Sequence, residues 1–475
     1  MTTNNLHHFC STNSAKVLWK IRITFVSLFF ICLSSCDSFT ETDIPTSELN
    51  EFAVFEQKNT ANAAMTDIYA KIRDNGILTG KTYGTGKILG LYTDELSWWG
   101  GDADPSKQFY SNSVQANNLV IAEWWNSAYN AIYASNAIIE GVTASTALLK
   151  SDKDQLLGEA KFVRGLLYFY LIQLYGDVPY ITTTDYTVNV KVSRMPKVEI
   201  YNKIIKDLNE ASELLPKNYI SEGRVRPNFY AAKALLARVY LYNRNWDEAA
   251  NSASAVLNNT EIYIWQEDLS NVFLKTSTTA IWQLMPRTAI RNSDDAFTFI
   301  FNSGPPPQVA LSMNLVNSFE SGDLRKKLWT RAITNGPNTW HHAYKYKKSS
   351  TSNPQQEYSI VLRLSEQYLI RAEARAQQGE LIGAKEDLNK IRNTAGLPST
   401  TAVSQSEIVI AILKERRVEF FTEFGHRFMD LKRAEQLDLA LRNVKESWNT
   451  TDKLLPIPQN EINLNPAIAP QNPGY

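Results

Sequence analysis

Apolar side chains recur along this chain with the 3.6-residue period of an α-helix far more often than with the period of two that marks a strand. Between Val198 and Leu215 the apolar positions are Tyr201, Ile204, Ile205, Leu208, Ala211 and Leu215. They share one helix face, and Pro216 stops the helix. Asn118–Val142 and Asp154–Tyr175 read as two further long helices. The pattern predicts a mostly α fold with long irregular connections.

Two segments repeat one another at an offset of 135 residues. Asn228–Leu257 carries Ala237, Asn245-Trp246 and Ala249; Ser365–Ile391 carries Ala372, Glu380-Leu381 and Ala384. Each reads as two helices joined by a tight turn, with small residues where the helices cross, which resembles the tetratricopeptide pattern. A bare helical hairpin gives the same signal. Asn245 followed by Glu248 fits a capping box, and Gly379 suits the turn of the second pair. Residues 260–360 read differently. Gly304-Pro305-Pro306-Pro307, Asn335-Gly336-Pro337-Asn338 and Ser349–Pro354 are turn and loop chemistry, with Trp282, Phe297, Phe299, Phe301, Trp329, Trp340, Tyr344 and Tyr346 among them. Five prolines between Leu454 and Tyr475 argue against a helix and predict an extended strap packed on the body.

The first 35 residues stand apart. Lys16, Lys20 and Arg22 precede an apolar run from Ile23 to Leu33, broken only by Thr24 and Ser27. The run is too short to span a bilayer and has the length of a signal-peptide core. It ends in Leu33-Ser34-Ser35-Cys36, which resembles a bacterial lipobox and implies that Cys36 is acylated and becomes the mature N-terminus. The other reading is an ordinary signal peptide with an incidental cysteine. The remaining cysteines, Cys10 and Cys32, fall inside the leader, so the mature chain can form no internal disulfide and its core must hold it together. The expected organisation is a leader over 1–35, a lipidated tether over 36–50 and a body over 51–475. The body divides near residue 260 into N-terminal and C-terminal parts. No later run approaches membrane-spanning length, so the lipid is the expected anchor.

Composition narrows the function classes. Formal net charge is zero, so no basic field points to nucleic acid. Aromatics make up 11% of the chain, with 11 Trp and 22 Tyr, residues that suit flat amphipathic platforms as well as cores. Gly80-Lys-Thr82 lacks the earlier glycine of a phosphate loop, and Gly84-Thr-Gly86 with Gly90 has the wrong spacing for a dinucleotide fingerprint. Asp102-Ala-Asp104-Pro-Ser106 begins like a calcium loop, but Lys107 stands where the turn glycine belongs and Ser113 where the bidentate glutamate belongs. His341-His342 has no partner at metal-ligand spacing and reads as a solvated loop. Glu415, Arg416, Glu419, Glu423, His426, Arg427 and Asp430 look catalytic, yet their helical spacing among phenylalanines predicts a paired network that locks the fold. No cofactor, metal or catalytic residue is expected, although a pair of glycosidase carboxylates has no sequence signature.

Four segments match a known family. Glu159–Pro179, ending in Tyr175-Gly-Asp-Val-Pro179, resembles a helix of the SusD/RagB family. Ala231–Leu241 resembles its tetratricopeptide helix, and Glu415–Leu431 its Glu-Arg…Glu-Gly-x-Arg…Asp-Leu segment, with Phe424 in place of the usual glutamate. Leu455-Pro-Ile-Pro458 and Gln471-Asn-Pro-Gly-Tyr475 resemble the family ending. The resemblance implies a SusD-like α-helical fold with tetratricopeptide-like hairpins. It implies a lipoprotein exposed on a Gram-negative, Bacteroidetes-type outer membrane. It further implies a SusC-like TonB-dependent barrel as partner, and binding of a glycan or oligosaccharide without catalysis. A peptide or other nutrient on the same fold, and a surface glycoside hydrolase, are the competing readings. SusD-like sites commonly draw on the loop near Trp98, Trp99 and Asp102, where indoles can stack on sugar faces and carboxylates, Asp94 included, can accept hydroxyl hydrogen bonds. At least one of the two tryptophans is expected in the ligand site; the alternative places both in the core. Trp340 and Tyr344 are the next candidates.

Overall fold

Helices form where the 3.6-residue pattern is strongest. The computed structural model describes Glu51–Tyr475, which make one unit; the leader, Cys36 and the tether lie outside the described residues. In chain order the principal helices are α1 (Lys58–Asp74), α2 (Leu119–Ala144), α3 (Lys150–Tyr175), α4 (Lys197–Leu214), α5 (Phe229–Tyr242) and α6 (Trp246–Leu257). After the excursion of residues 258–363 come α7 (Leu364–Gln377), α8 (Leu381–Thr394), α9 (Gln405–Glu419) and α10 (His426–Arg433). Each helix packs on the next, and α6 lies directly against α7. The two repeated hairpins are therefore neighbours in space, and the array runs on across the excursion.

Local chemistry sets the helix ends. Asn118 caps α2 by accepting the Val120 amide at 2.9 Å. Tyr201, Ile204, Leu208, Ala211 and Leu215 of the α4 region are buried as the periodicity predicts, with Ile205 at the margin. The last carbonyls of α3 are all engaged. Ile172 O accepts from Gly176 N at 3.2 Å, Leu174 O from Leu455 N at 2.8 Å, Tyr175 O from Asn472 Nδ2 at 2.9 Å, and Gln173 O from Lys432 Nζ. The terminal segment is thus the cap of the central helix. It is not wholly extended: Gln459–Leu464 make a short helix, because no proline lies between Pro458 and Pro466.

The capping box expected at Asn245 does not form. The Asn245 amide, which Glu248 would have to accept, already donates to Tyr240 O at 2.9 Å in the closing turn of α5. That turn needs a left-handed residue, and Arg244 supplies it at φ 58°. The second hairpin has Gly379 at the same place with φ 83°, and Glu380 N donates to Arg375 O at 2.9 Å. The repeat persists in backbone geometry where the side chains differ.

Buried ion pairs tie the array across its seams. Arg164 on α3 holds Asp207 on α4 through two bonds of 2.7 and 2.8 Å and Asn136 on α2 at 2.9 Å. Arg238 on α5 holds Glu366 on α7 at 2.6 and 2.7 Å.

The excursion contains strands that the periodicity missed. Numbering from the strand before it, they are β1 (Leu96–Trp98), β2 (Ala280–Leu284), β3 (Val309–Leu311), β4 (Thr330–Asn335), β5 (Asn338–Ala343) and β6 (Ser359–Arg363). An antiparallel sheet runs in the order β1-β3-β5-β4, and β2 pairs with β6. Asn335-Gly336-Pro337-Asn338 is the hairpin between β4 and β5. Leu96, Val309, Leu311, Trp329 and Phe421 anchor the hydrophobic cluster beneath this sheet, separate from the large core of the array.

Candidate functional site: an aromatic strip on the inserted sheet

Strand pairing assembles the site. β1 lies against β3 with Trp98 opposite Val309, and β3 meets β5 where Leu311 faces His341. Trp99 follows β1 and donates its backbone amide to Gln308 O at 2.7 Å. Its ring, 44% exposed, stands edge to face on Trp340 with centroids 5.7 Å apart and planes at 88°. Two indoles at a right angle make a corner, with one apolar wall and one apolar floor, each wide enough for a flat ring face.

The corner is held from behind. Trp99 Nε1 donates to Ser97 Oγ at 3.2 Å. The backbone of Gly304 lies so close to Trp340 that a Cβ there would sit 2.1 Å from the indole, so only glycine lets the chain pass. Asn335 Nδ2 fixes that same segment by donating to Gly304 O at 2.9 Å.

Along β5, period two puts Trp340 and His342 on one face, and Tyr344 continues the line beyond the strand. His342 packs on Phe301 at 5.0 Å and on Tyr344 at 5.6 Å. Tyr344 is half-buried and lies under the guanidinium of Arg331 at 5.5 Å and the ammonium of Lys347 at 6.0 Å. The solvated loop expected for His341-His342 is therefore a strand: His342 is buried, and burial pushes its pKa below the ordinary imidazole value, aided by Arg331 and His341. His341 is half-buried and lowered by burial, with Lys326 adding to it.

The structure brings Trp99 against Trp340, leaves Tyr344 further along the line against His342, and sets Trp98 and Asp102 apart. Trp98 packs on the cluster under the sheet, with its buried Nε1 lacking a hydrogen-bond partner and Lys87 Nζ 5.4 Å from its ring. Lys87 is itself buried, donates to Gln308 Oε1 at 2.9 Å, and is lowered by burial to about 8. Asp102 faces solvent and pairs with Lys107 at 3.2 Å. Asp94, a candidate acceptor for sugar hydroxyls in the sequence, is buried and clamped by Arg427 at 2.8 Å and Arg417 at 2.7 Å, so it has no free lone pair directed outward. Phe301, His342 and Gly304 belong to the strip and escaped the sequence reading. The alternation Trp340-x-His342-x-Tyr344 was the available signal.

The charged cluster of α9 and α10 forms the paired network that the spacing predicts. Arg325 bonds Asp323, Glu415 and Glu419; Arg363 bonds Glu419 and Glu423; Lys345 bonds Glu423; Arg416 and Arg433 bond Asp430. Burial works to raise Glu419, but Arg363 and Arg325 overcome it and hold the carboxyl down to about 2. His426 is driven well below the imidazole range by burial and by the surrounding guanidinium groups. The histidine and the carboxylates of this cluster are buried, and the carboxylates are spent on the arginines and lysine beside them.

Comparison with known proteins follows this architecture. Residues 47–241 match a family model described as starch-binding and associating with the outer membrane, and residues 318–475 match the model of the SusD family. SusD-like protein P2 of Formosa agariphila is 26% identical, over 96% of this chain and 100% of its own. A SusD superfamily protein of Parabacteroides distasonis superposes with a TM-score of 0.77 at 24% identity, covering 90% of this chain and 100% of its own. A protein described as a laminarin-binding SusD-like protein gives 0.75 at 24%, covering 88% and 99%. At such identities the two structures establish the fold. Among the described residues, no helix is long and apolar enough to cross a membrane.

Proposed function

This chain belongs to the SusD family, and we propose that it is a cell-surface carbohydrate-binding lipoprotein that presents an oligosaccharide to a SusC-like TonB-dependent barrel. The observation that carries the reading is the corner of Trp99 and Trp340, exposed and held from behind by Ser97 and Gly304. Pyranose rings have flat C–H faces, and a rigid indole corner receives one without paying for side-chain ordering. The description of one structural relative as laminarin-binding and the outer-membrane description of the matched family model support the ligand class and the location. The lipobox at Cys36 supplies the anchor in this reading, and the transporter partner comes from the family alone.

The test is a glycan array probed with the purified protein, followed by titration of the best ligand. The expected result is saturable binding that the double variant Trp99→Ala, Trp340→Ala loses while its melting temperature stays near that of the parent. Binding to peptides in place of glycans, or reducing-end release from a bound glycan, overturns the reading. Cys36→Ala is expected to release the protein from the membrane fraction, and retention in high salt overturns the lipid anchor. A barrel recovered by pull-down from detergent-solubilised outer membranes is the expected partner, and repeated recovery of the protein alone rejects it.

A further inference from the structure

A second concave surface lies where the end of α3, the start of α4, the α5–α6 turn, the end of α10 and the terminal segment meet. It encloses about 680 Å³, within the range of small-ligand sites. Six cationic side chains line it: Arg194, Lys197, Arg244, Lys432, Arg433 and Lys453. Only two carboxylates do, Asp177 and Glu435. Glu435 pairs with Arg244 at 2.5 Å, and Asp177, at the exposed margin, accepts the backbone amide of Lys197 on Oδ1 at 2.8 Å.

Arg433 is satisfied away from the groove by Glu373 and Asp430. Among the described residues, the other four cations have no carboxylate partner. Arg194 donates only to the neutral oxygens of Asn472, at 3.0 Å, and Pro470, at 2.8 Å. Lys197 and Lys453 are exposed and form no ion pair among the described residues. Lys432 has its single hydrogen bond to the carbonyl of Gln173. That bond caps α3, but it uses one of the three donors of an ammonium group. Burial pushes Lys432 down to about 7, and the charges of Lys197 and Lys453 push it the same way, so the three ammonium groups act on each other across the groove.

Buried arginines such as Arg238, Arg325 and Arg363 are matched to carboxylates. Buried Lys87 and Lys445, each bonded to neutral oxygens, stand singly, whereas the groove gathers several cations on one wall. Like charges gathered on a concave wall in excess over their counter-charges cost free energy in the empty state, which an entering anion offsets through charge-assisted hydrogen bonds. We infer that this groove, formed by Arg194, Lys197, Lys432 and Lys453, is a binding site for an oxyanion group: a sulfate, phosphate or carboxylate carried by a soluble ligand or by a lipid headgroup. It shares no residue with the aromatic strip, so the two sites can fail independently.

Inorganic sulfate, inorganic phosphate and acetate titrated into the full chain at pH 8 and low salt are the first probes. The expected result is saturable binding of at least one anion, weakened by added chloride, with proton uptake as Lys432 regains its charge. The double variant Lys197→Ala, Lys453→Ala is expected to bind about tenfold or more weakly. Both residues are exposed, so the fold should survive. Lys203→Ala, exposed on α4 but outside the groove, is expected to bind like the parent. Vesicles with and without phosphatidylglycerol separate the sources. Recruitment lost in the double variant assigns the site to a headgroup, and anion binding without recruitment assigns it to a soluble ligand. Absence of saturable binding by all three anions and by the vesicles, or binding that the double variant leaves unchanged, overturns the proposal.

Discussion

The ion-pair network around α9 and the aromatic strip on the inserted sheet are both dense in chemically capable side chains, and the fold treats them in opposite ways. In the network every charge meets its opposite: Arg363 reaches Glu419 at 2.5 Å and Glu423 at 2.8 Å, and Arg325 reaches three carboxylates. In the strip, Trp99 is left half in water with one ring edge on Trp340 and an open face beyond it. Satisfied groups have nothing left to offer a ligand. The difference teaches that recognition here is to be sought where the structure leaves a side chain uncompensated, rather than where the sequence concentrates charge.

The largest effect should come from breaking the network. Arg363→Met leaves Glu419 and Glu423 buried with too few partners, and the expected loss is about 3–5 kcal/mol in urea unfolding. A loss below about 1 kcal/mol would mean that the buried carboxylates find water or each other, and the contrast with the strip would collapse.

Acid provides a gentler probe. The Glu419 carboxyl sits near 2 in the folded chain, below its ordinary 4.5, so the unfolded state binds the proton first. Its contribution is complete above about pH 5 and is lost as pH falls towards 2, on the order of 3 kcal/mol in total. The predicted signature is an acid limb of the stability curve that becomes shallower in Glu419→Gln. An unchanged limb would assign the acid sensitivity to other carboxylates.

Two tryptophan variants sharpen the comparison from the other side. Trp99→Ala is expected to weaken glycan binding by about 2 kcal/mol, roughly thirtyfold, with little change in melting temperature. Trp98→Phe deletes a buried indole N–H that has no partner, so it should move stability by less than about 1 kcal/mol and leave affinity unchanged. If Trp98→Phe abolishes binding and Trp99→Ala does not, the two indoles have the reverse roles.

Much of the array was legible in the sequence because its determinants are local. The α4 face, the turn at Gly379 and the one-turn spacing of His426 and Asp430 on α10 act within a few residues. Glu423, by contrast, expected one helical turn beyond Glu419, lies past the end of α9, where Thr422 and Phe424 take φ of 58° and 41°. The strip was legible only in parts. β1 and β3 are three residues long, too short for alternation to be seen, and the meeting of Trp99 with Trp340 depends on β3 standing between two strands far apart in the chain. Trp98 and Trp99 were indistinguishable as neighbours, and strand pairing separated them into a packed ring and an exposed one. Asp94 looked like a ligand carboxylate because the arginines that clamp it lie on α9 and α10. The cation groove left no trace in a net charge of zero, since its members come from five separate segments.

The contact of α6 with α7 across residues 258–363 carries a consequence for how such a molecule can diversify. The scaffold is continuous in space but open in sequence at that seam, so exposed turns of the segment such as Asn335–Asn338 can vary in length, while Arg325, Lys345 and Arg363 tie its other parts to α9 and to the Glu423 that follows it. Trp340, on the β4–β5 hairpin, and Gly304 both lie in that segment, whereas Trp99 follows β1, before it. The two walls of the corner therefore come from different parts of the chain and can be altered separately. The β4–β5 hairpin, exposed over most of its length, is the unit to graft between two such proteins, because it carries Trp340 and none of the residues of the buried network.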